Sequence, residues 1–181
     1  MAEAPDNKED PYEKYEWQGL VRGTILTTTT RKLFGYIQLV DQKAMGLILL
    51  NSAIVPLAMN WVAQEDLQLP ATIAVITGVI CILLAIWCIF PKRGKASKPN
   101  GDINLLHFTD IGNLSEEEYL ERMYPVYNDR GLLAQTVMQD IHDVSSRVLI
   151  PKFKLLKASY ILFFFGNLIA VAAFLYSIWS T

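Results

Sequence analysis

An uncharged apolar run, ATIAVITGVICILLAIWCIF over residues 71–90, constrains the fold of this chain more than any other feature. Pro70 and Pro91 bracket the run. It has the length of about 20 residues that an α-helix needs to cross a hydrocarbon core of about 30 Å. Basic residues follow Pro91 directly, as they do where a spanning helix leaves the membrane. The run therefore predicts a transmembrane helix.

Two further segments are predicted to span the membrane. Residues 159–179 are almost wholly apolar and follow a group of lysines, whereas residues 44–63 are apolar but contain Asn51, Pro56 and Asn60. Proline is tolerated within a span where neighbouring helices satisfy the freed backbone groups. We expect Asn51 and Asn60 to face protein or water, where they would join helices or line a pore of an oligomer. A buried helix of a soluble domain is the alternative for residues 44–63.

The distribution of basic residues orients the three predicted spans. Lysines and arginines precede the first span, follow the second and precede the third, whereas the link over residues 64–70 has none. By the positive-inside rule, the N-terminus and residues 91–158 lie in the cytoplasm. The first 20 residues are acidic and polar, so we expect no secretory signal peptide. We predict a multi-pass protein of the cell inner membrane.

Composition excludes several function classes. Hydrophobic residues make up 52% of the chain and charged residues 19%, whereas soluble domains carry about a quarter charged residues. A net charge of −2 argues against a nucleic-acid partner. Both cysteines lie in one apolar run and the two histidines stand far apart, so we expect no disulfide framework and no metal site. No nucleotide-binding or hydrolase motif is present, and we expect no enzyme, no catalytic residue and no cofactor.

The part outside the membrane is predicted to be helical. Residues 1–20 are acidic and contain proline, a composition typical of a flexible tail. Residues 21–43 repeat apolar side chains at intervals of three and four, which indicates an amphipathic helix. No turn signal separates residues 21–43 from the span at 44–63. One long helix could therefore cover both segments.

Residues 91–158 are predicted to form a basic loop followed by helices. Ser115 and the three glutamates after it form a capping box. We expect the helix to pause near Pro125–Gly131, to resume from Leu132, and to be kinked by Pro151. The predicted fold is an all-α integral membrane protein with three transmembrane helices and a membrane-proximal cytoplasmic helical bundle.

Charged residues mark the point where the first long helix meets lipid. Asp41 shares a helix face with Ile37, so we expect the bundle to cover it partly. A covered carboxylate needs a partner, and Lys152 before the third span is the candidate.

These residues carry a family resemblance. The run RKLFGYIQLVDQKAMGLILLNSA resembles the first motif of the transmembrane effectors of the Pycsar antiphage system, in which an amphipathic helix ends in Asp-x-Lys-Ala before a span. Asp41, Lys43 and Ala44 stand at those positions. The stretch INLLHFTDIGNLSEEEYLERMY is similar to the second motif, and Lys152 with Phe153 completes the order.

The resemblance implies a function. A partner cyclase would make cyclic CMP or cyclic UMP on phage infection, and the effector would then impair the inner membrane, causing abortive infection. The resemblance assigns no nucleotide contacts, so we predict them from charge and aromatic character. The predicted contacts are Arg31, Lys43, Arg130, Arg147, Tyr36 and Phe108. A subunit with three spans is too small to enclose a pore alone, so we expect a homo-oligomer among membrane lipids. The alternative function is a membrane-anchored helical scaffold that recruits a protein partner.

Overall fold

Helices make up the whole regular structure of the described residues. The computed structural model describes the backbone of residues 11–90 and 103–180, with side chains from residue 18 onward except those of Thr109 and Ser180. The predicted all-α class is confirmed, since no strand occurs in these ranges. The elements are α1 (Pro11–Trp61), a 3₁₀ turn (Glu65–Leu67), α2 (Gln68–Ile89), α3 (Phe108–Ile111), α4 (Glu116–Asn128), α5 (Arg130–Asp143), a π-helical turn (Val144–Leu149) and α6 (Ile150–Ser180).

Helix α1 is one continuous helix of 51 residues. Residues 21–43 and the predicted span that follows them therefore belong to a single helix, which includes Pro56 and ends at Trp61. The helix begins at Pro11, so residues 11–20, which we predicted as part of a flexible tail, are helical. The rest of that predicted tail lies outside the described residues.

Three helices are long and apolar enough to cross a membrane. Their apolar segments lie within residues 18–61, 65–89 and 130–179, which matches the three predicted spans. Helix α2 begins at Gln68, slightly before the predicted start of its span. The hydroxyl of Ser177 donates a hydrogen bond to the carbonyl of Asp66, which ties the end of α6 to the turn that precedes α2.

The predicted cap of α4 is confirmed, but the predicted pause after it is shorter than expected. Ser115 Oγ accepts a hydrogen bond from the N–H of Glu118 at 3.2 Å. Helix α4 then runs through Pro125 to Asn128. Only Asp129 interrupts the helices, and its Oδ1 accepts from the N–H groups of Gly131 and Leu132 at 2.8 and 3.0 Å. One aspartate thus ends α4 and caps α5, because its carboxylate replaces the missing backbone acceptors.

A wide turn precedes Pro151. Proline lacks an N–H and cannot continue the regular i→i−4 pattern of an α-helix. Residues 144–149 form a π-helical turn, in which the N–H of Ile150 bonds to the carbonyl of Ser145. Asp143 and Arg147, one turn apart, form an ion pair at 3.7 Å. The chain thus accommodates the proline in a π-helical turn within one helical path.

The chain divides into two compact units. Unit 1 comprises residues 1–34 and 104–141, and unit 2 comprises residues 35–103 and 142–181. Unit 2 holds the apolar helices, and their buried faces carry mainly small side chains. The buried residues of α2 are Pro70, Ala71, Thr77, Gly78, Cys81, Ala85 and Cys88.

Close approach of α2 and α6 explains this choice of residues. A Cβ on Gly166 would lie 2.9 Å from the Cβ of Thr77, nearer than real Cβ atoms come. Ser159 Oγ donates to the carbonyl of Cys81 at 3.1 Å, and Cys88 Sγ lies 3.4 Å from the carbonyl of Lys152. Small residues let helix backbones approach closely in lipid, where hydrophobicity alone does not drive helices together.

Candidate functional site

An open cleft in unit 1 is the strongest candidate for a ligand site. Its volume is about 1050 Å³, and residues 18–34 of α1 and the first turns of α5 form its walls. This volume lies at the upper end of the range of about 300–1,000 Å³ that is typical of small-molecule sites. The lining residues are Gln18, Gly19, Arg22, Gly23, Leu26, Thr27, Thr30, Arg31, Phe34, Arg130, Gly131, Leu133, Ala134 and Val137.

The cleft is cationic. Arg22 and Arg31 come from α1 and Arg130 from the first position of α5, while the lining residues that the structure describes include no aspartate or glutamate. A guanidinium offers donors in a fixed fork that matches phosphate or carboxylate oxygens. The arrangement favours an anionic ligand.

Helix periodicity explains how α1 supplies one wall. The lining positions on α1 recur at intervals of three and four, so they share one face of the helix. Gly19 and Gly23 contribute no side chains, and a Cβ added at either would meet nothing within 4 Å. The two glycines therefore leave room beside Arg22.

Polar and aromatic groups complete the lining. The hydroxyls of Thr27 and Thr30 donate to the carbonyls of Gly23 and Leu26 at 2.9 and 3.0 Å. Each threonine oxygen keeps its capacity to accept a further hydrogen bond. Phe34 is 54% exposed, so its ring is accessible to a planar group.

A hydrogen-bonded network ties the segment before α3 to α5 within unit 1. Asn104 Nδ2 donates to Asp140 Oδ1 at 3.0 Å, and the N–H of Asn104 donates to Asp110 Oδ2 at 2.9 Å. Asn104 Oδ1 accepts from the N–H of Leu106 at 3.0 Å. Both ends of the Asn104 amide are therefore used to hold this segment in place.

The predicted ion pair between α1 and α6 is present in unit 2. Lys152 Nζ lies 2.6 Å from Asp41 Oδ1, and the two side chains are 13% and 31% exposed. Ala44 is fully buried. Lys43 is exposed, and its carbonyl accepts a hydrogen bond from the hydroxyl of Tyr160 at 3.4 Å. The Asp-x-Lys-Ala signature thus joins two apolar helices through its aspartate and packs through its alanine.

The comparisons with known proteins assign the family. The family model described as the Pycsar effector protein domain matches residues 25–179. The chain belongs to the Pycsar effector family. No curated protein and no solved structure matches it. The chain is accordingly an antiphage defence effector and a membrane protein, and the family implies a cyclic nucleotide signal made by a partner cyclase.

The structure of this Pycsar effector gathers two of the six predicted ligand residues. Arg31 and Arg130 line the cleft. Lys43, Arg147 and Tyr36 belong to unit 2. Phe108 lies in unit 1 outside the lining, where its ring stacks on His107 with centroids 5.0 Å apart.

Arg22 and Phe34 are among the lining residues that the sequence analysis did not predict as ligand contacts. A signal for both is present, because they continue the helical face that carries Leu26 and Thr30. Arg22 lies within residues 21–43, which we predicted as an amphipathic helix.

The two asparagines of the first span differ in their surroundings. Asn51 is fully buried, and its Nδ2 donates to the carbonyl of Leu47 at 2.8 Å. Its Oδ1 has no hydrogen-bond partner among the described residues. Asn60 is exposed one residue before the end of α1. The prediction that both would avoid lipid agrees with Asn51, while the exposed position of Asn60 leaves a pore or oligomer role as a prediction.

A second cleft, of about 590 Å³, lies in unit 2 among apolar residues of α1, α2 and α6. Asn167 contributes an amide to it, and that side chain donates to the carbonyl of Phe163 at 2.7 Å. The residues described around this second cleft carry no charge, so it is less suited to an anion than the cleft of unit 1.

Proposed function

We propose that this Pycsar effector binds cyclic CMP or cyclic UMP in the cleft of unit 1 and then impairs the inner membrane, so that infection is aborted. The observation that carries the proposal is the set of three arginines, Arg22, Arg31 and Arg130, among described lining residues that include no carboxylate. A cyclic nucleotide monophosphate has one negative charge and a planar base. The arginines would hold the phosphate, and Phe34 would stack on the base.

The connections of the cleft walls support a role in signalling. Helix α1 runs without a break from the cleft wall into an apolar helix, and α5 continues through the π-helical turn into α6. A ligand shifts an equilibrium only if it binds one arrangement better than the other. We infer that the nucleotide bridges the two walls in one arrangement and so favours the membrane-active form.

We infer that the effector binds its nucleotide without converting it. General acid–base catalysis needs a positioned side chain such as histidine, aspartate or glutamate. None of these is found among the cleft residues that the structure describes, and the hydroxyls of Thr27 and Thr30 donate to backbone carbonyls. The cleft therefore suits binding without hydrolysis.

The proposed topology places the cleft on the side where the nucleotide is made. The turn over Glu65–Leu67 has two acidic residues and no basic residue, whereas lysines lie near the opposite ends of the apolar helices. The positive-inside rule then puts the N-terminus and unit 1 in the cytoplasm. We propose that several copies assemble in the membrane, because three spans cannot enclose a pore.

The test combines binding with leakage. Full-length protein is reconstituted in liposomes that contain dye, and dye release is measured with cyclic CMP, cyclic UMP or cyclic AMP. Binding to the same preparations is measured by calorimetry. We expect a pyrimidine nucleotide to bind and to cause leakage. Arg31→Gln and Arg130→Gln should each weaken binding about 10- to 100-fold, as expected for loss of a charged hydrogen bond.

Arg122→Gln is the matched control, because Arg122 lies outside the lining and pairs with Glu118 at 2.7 Å. It should bind and leak as the parent does. Nucleotide binding that both cleft variants leave unchanged would contradict the assignment of the cleft. If no cyclic nucleotide binds and one protein co-purifies in stoichiometric amount, the scaffold function is supported instead.

A further inference from the structure

Helices α2 and α6 of unit 2 are held in a defined antiparallel register. Cys81 meets Ser159 through the 3.1 Å hydrogen bond, and Cys88 lies against the carbonyl of Lys152 at 3.4 Å. The interval between the two cysteines equals the interval between their partners on α6. Each residue forward along α6 therefore lies level with one residue backward along α2.

This register gives the depth of two lysines in α6. Lys154 lies level with Ile86 and Lys157 with Leu83, whereas α2 ends at Ile89. At a rise of about 1.5 Å per residue, Lys154 and Lys157 lie about 4.5 and 9 Å inside the end of α2. The backbones of both lysines are therefore beside the apolar part of a neighbouring span.

Lys43 on α1 lies at the same level as Lys154. The pair between Asp41 and Lys152 sets the register of α1 against α6, and both helices run in the same direction from this pair. Lys43 follows Asp41 by the interval at which Lys154 follows Lys152. Three lysines on two helices thus lie near one end of the apolar bundle. All three are closer to the middle of the bundle than the last residue of α2 is.

These three lysines have no carboxylate partner in the described part of the chain. All three are exposed, and none takes part in an ion pair there. At this end of unit 2 the described carboxylates are Asp41 and Asp143, which already face Lys152 and Arg147. The surface around the lysines therefore carries uncompensated positive charge.

We propose that Lys43, Lys154 and Lys157 form a binding surface for the phosphates of anionic lipids. A lysine whose backbone lies at hydrocarbon depth extends its ammonium toward the headgroups, because the charge is costly among acyl chains. Each lysine near a membrane surface favours anionic lipid. Since Lys157 starts deepest, the bound headgroups are drawn toward the spans and the bilayer thins beside the bundle.

A second copy of the chain fits this surface less well than lipid does. A protein partner would need carboxylates at the same depth as the lysines. In unit 2 the described carboxylate nearest this level is Asp41, which is paired with Lys152. Lipid phosphates reach this depth without such a residue.

The test uses Trp87 as a reporter, because it precedes Cys88 and its side chain is 63% exposed near the level of the lysines. Trp17, Trp61 and Trp179 are changed to Phe in the full-length protein, which is reconstituted in vesicles of phosphatidylglycerol and phosphatidylcholine. In one set of vesicles the phosphatidylglycerol carries brominated chains, and in the other set the phosphatidylcholine does. Comparing the quenching of Trp87 in the two sets gives the association constant of one lipid relative to the other. We expect a preference for phosphatidylglycerol of about fivefold or more, from about 1 kcal/mol per lysine.

The double variant Lys154→Gln/Lys157→Gln should lower this preference severalfold, to no more than the contribution of Lys43 alone. The matched control, Lys32→Gln/Arg122→Gln, removes the same charge from unit 1 and should retain the preference. Ionic strength provides a test that needs no lysine substitution. Raising it from 0.1 to 1 M shortens the Debye length from about 10 to about 3 Å. The preference for phosphatidylglycerol should therefore fall. Equal quenching by both lipids in the parent, or an unchanged preference in the double variant, would overturn the proposal.

Discussion

Removing the charge of Asp41 should destabilise unit 2 more than removing the charge of its partner. Asp41→Asn keeps the shape of the side chain but leaves the ammonium of Lys152, which is 13% exposed, without a counter-charge. Lys152→Gln leaves a carboxylate that is 31% exposed and therefore better able to bind water. The two single substitutions therefore differ in their cost, although they break the same 2.6 Å contact.

The structure sets the size of the effect. Breaking a fully buried ion pair costs about 3–5 kcal/mol of folding free energy. The pair here is partly exposed and an amide oxygen can still accept from lysine, so we expect about 2 kcal/mol for Asp41→Asn and about 1 kcal/mol for Lys152→Gln. In the double variant no unpaired charge remains. Its cost should be close to that of the milder single variant, which gives a coupling energy of about 2 kcal/mol.

The assay is reversible unfolding of the full-length protein in mixed micelles, with increasing fractions of sodium dodecyl sulfate and detection by tryptophan fluorescence. The parent, both single variants and the double variant form one thermodynamic cycle. A coupling energy below about 0.5 kcal/mol, the range of independent sites, would refute the reasoning. So would a larger loss for Lys152→Gln than for Asp41→Asn, because it would show that burial of the lysine does not control the cost.

Four further substitutions test the helix packing and the cap of α4, and the same unfolding assay reads each of them. Gly166→Ala should cost about 1–3 kcal/mol of folding free energy because the added Cβ would meet Thr77. Gly46→Ala, whose Cβ would meet nothing within 4 Å, should stabilise α1 by about 0.5–1 kcal/mol. Equal effects of the two substitutions would contradict the close approach of α2 and α6. Ser115→Ala should cost about 1 kcal/mol by removing the cap of α4, and no change in the helical content of unit 1 would count against it. Asn51→Leu should leave stability unchanged or raise it, because it removes the oxygen that has no partner among the described residues, and a loss above about 1 kcal/mol would show that this oxygen is satisfied.

The contacts that sequence could predict are those that follow from electrostatic necessity. A carboxylate on the covered face of a helix that meets lipid needs a cation at the same depth, and Lys152 was the basic residue in reach of Asp41. The cap at Ser115 was predictable for a similar reason, because unpaired N–H groups at a helix start require a local acceptor.

The cleft was only half predictable, because it depends on which helix faces meet. Arg31 and Arg130 were selected for their charge, and they line the cleft. The same reasoning selected Lys43 and Arg147, which are equally charged but belong to unit 2. Charge identifies candidates for phosphate contact, whereas only packing decides which of them converge.

The first residues of α1 show a second limit on what the sequence alone can predict. The acidic composition before residue 20 is typical of a flexible tail, yet the helix begins at Pro11. Helix formation is cooperative, so residues that would not start a helix alone can extend one that continues for many turns. Local composition underestimates such an extension.

The small side chains between α2 and α6 have a consequence for how the bundle can change state. Glycine and alanine have no rotamers, and cysteine, serine and threonine have only one heavy-atom torsion each. Such a seam cannot open by swinging aside a bulky residue, as a side-chain gate would. Any passage for ions would have to arise from displacement of whole helices or at the boundary between neighbouring copies. Spin labels on the backbones of α2 and α6 would then report activation as a change in helix-to-helix distance.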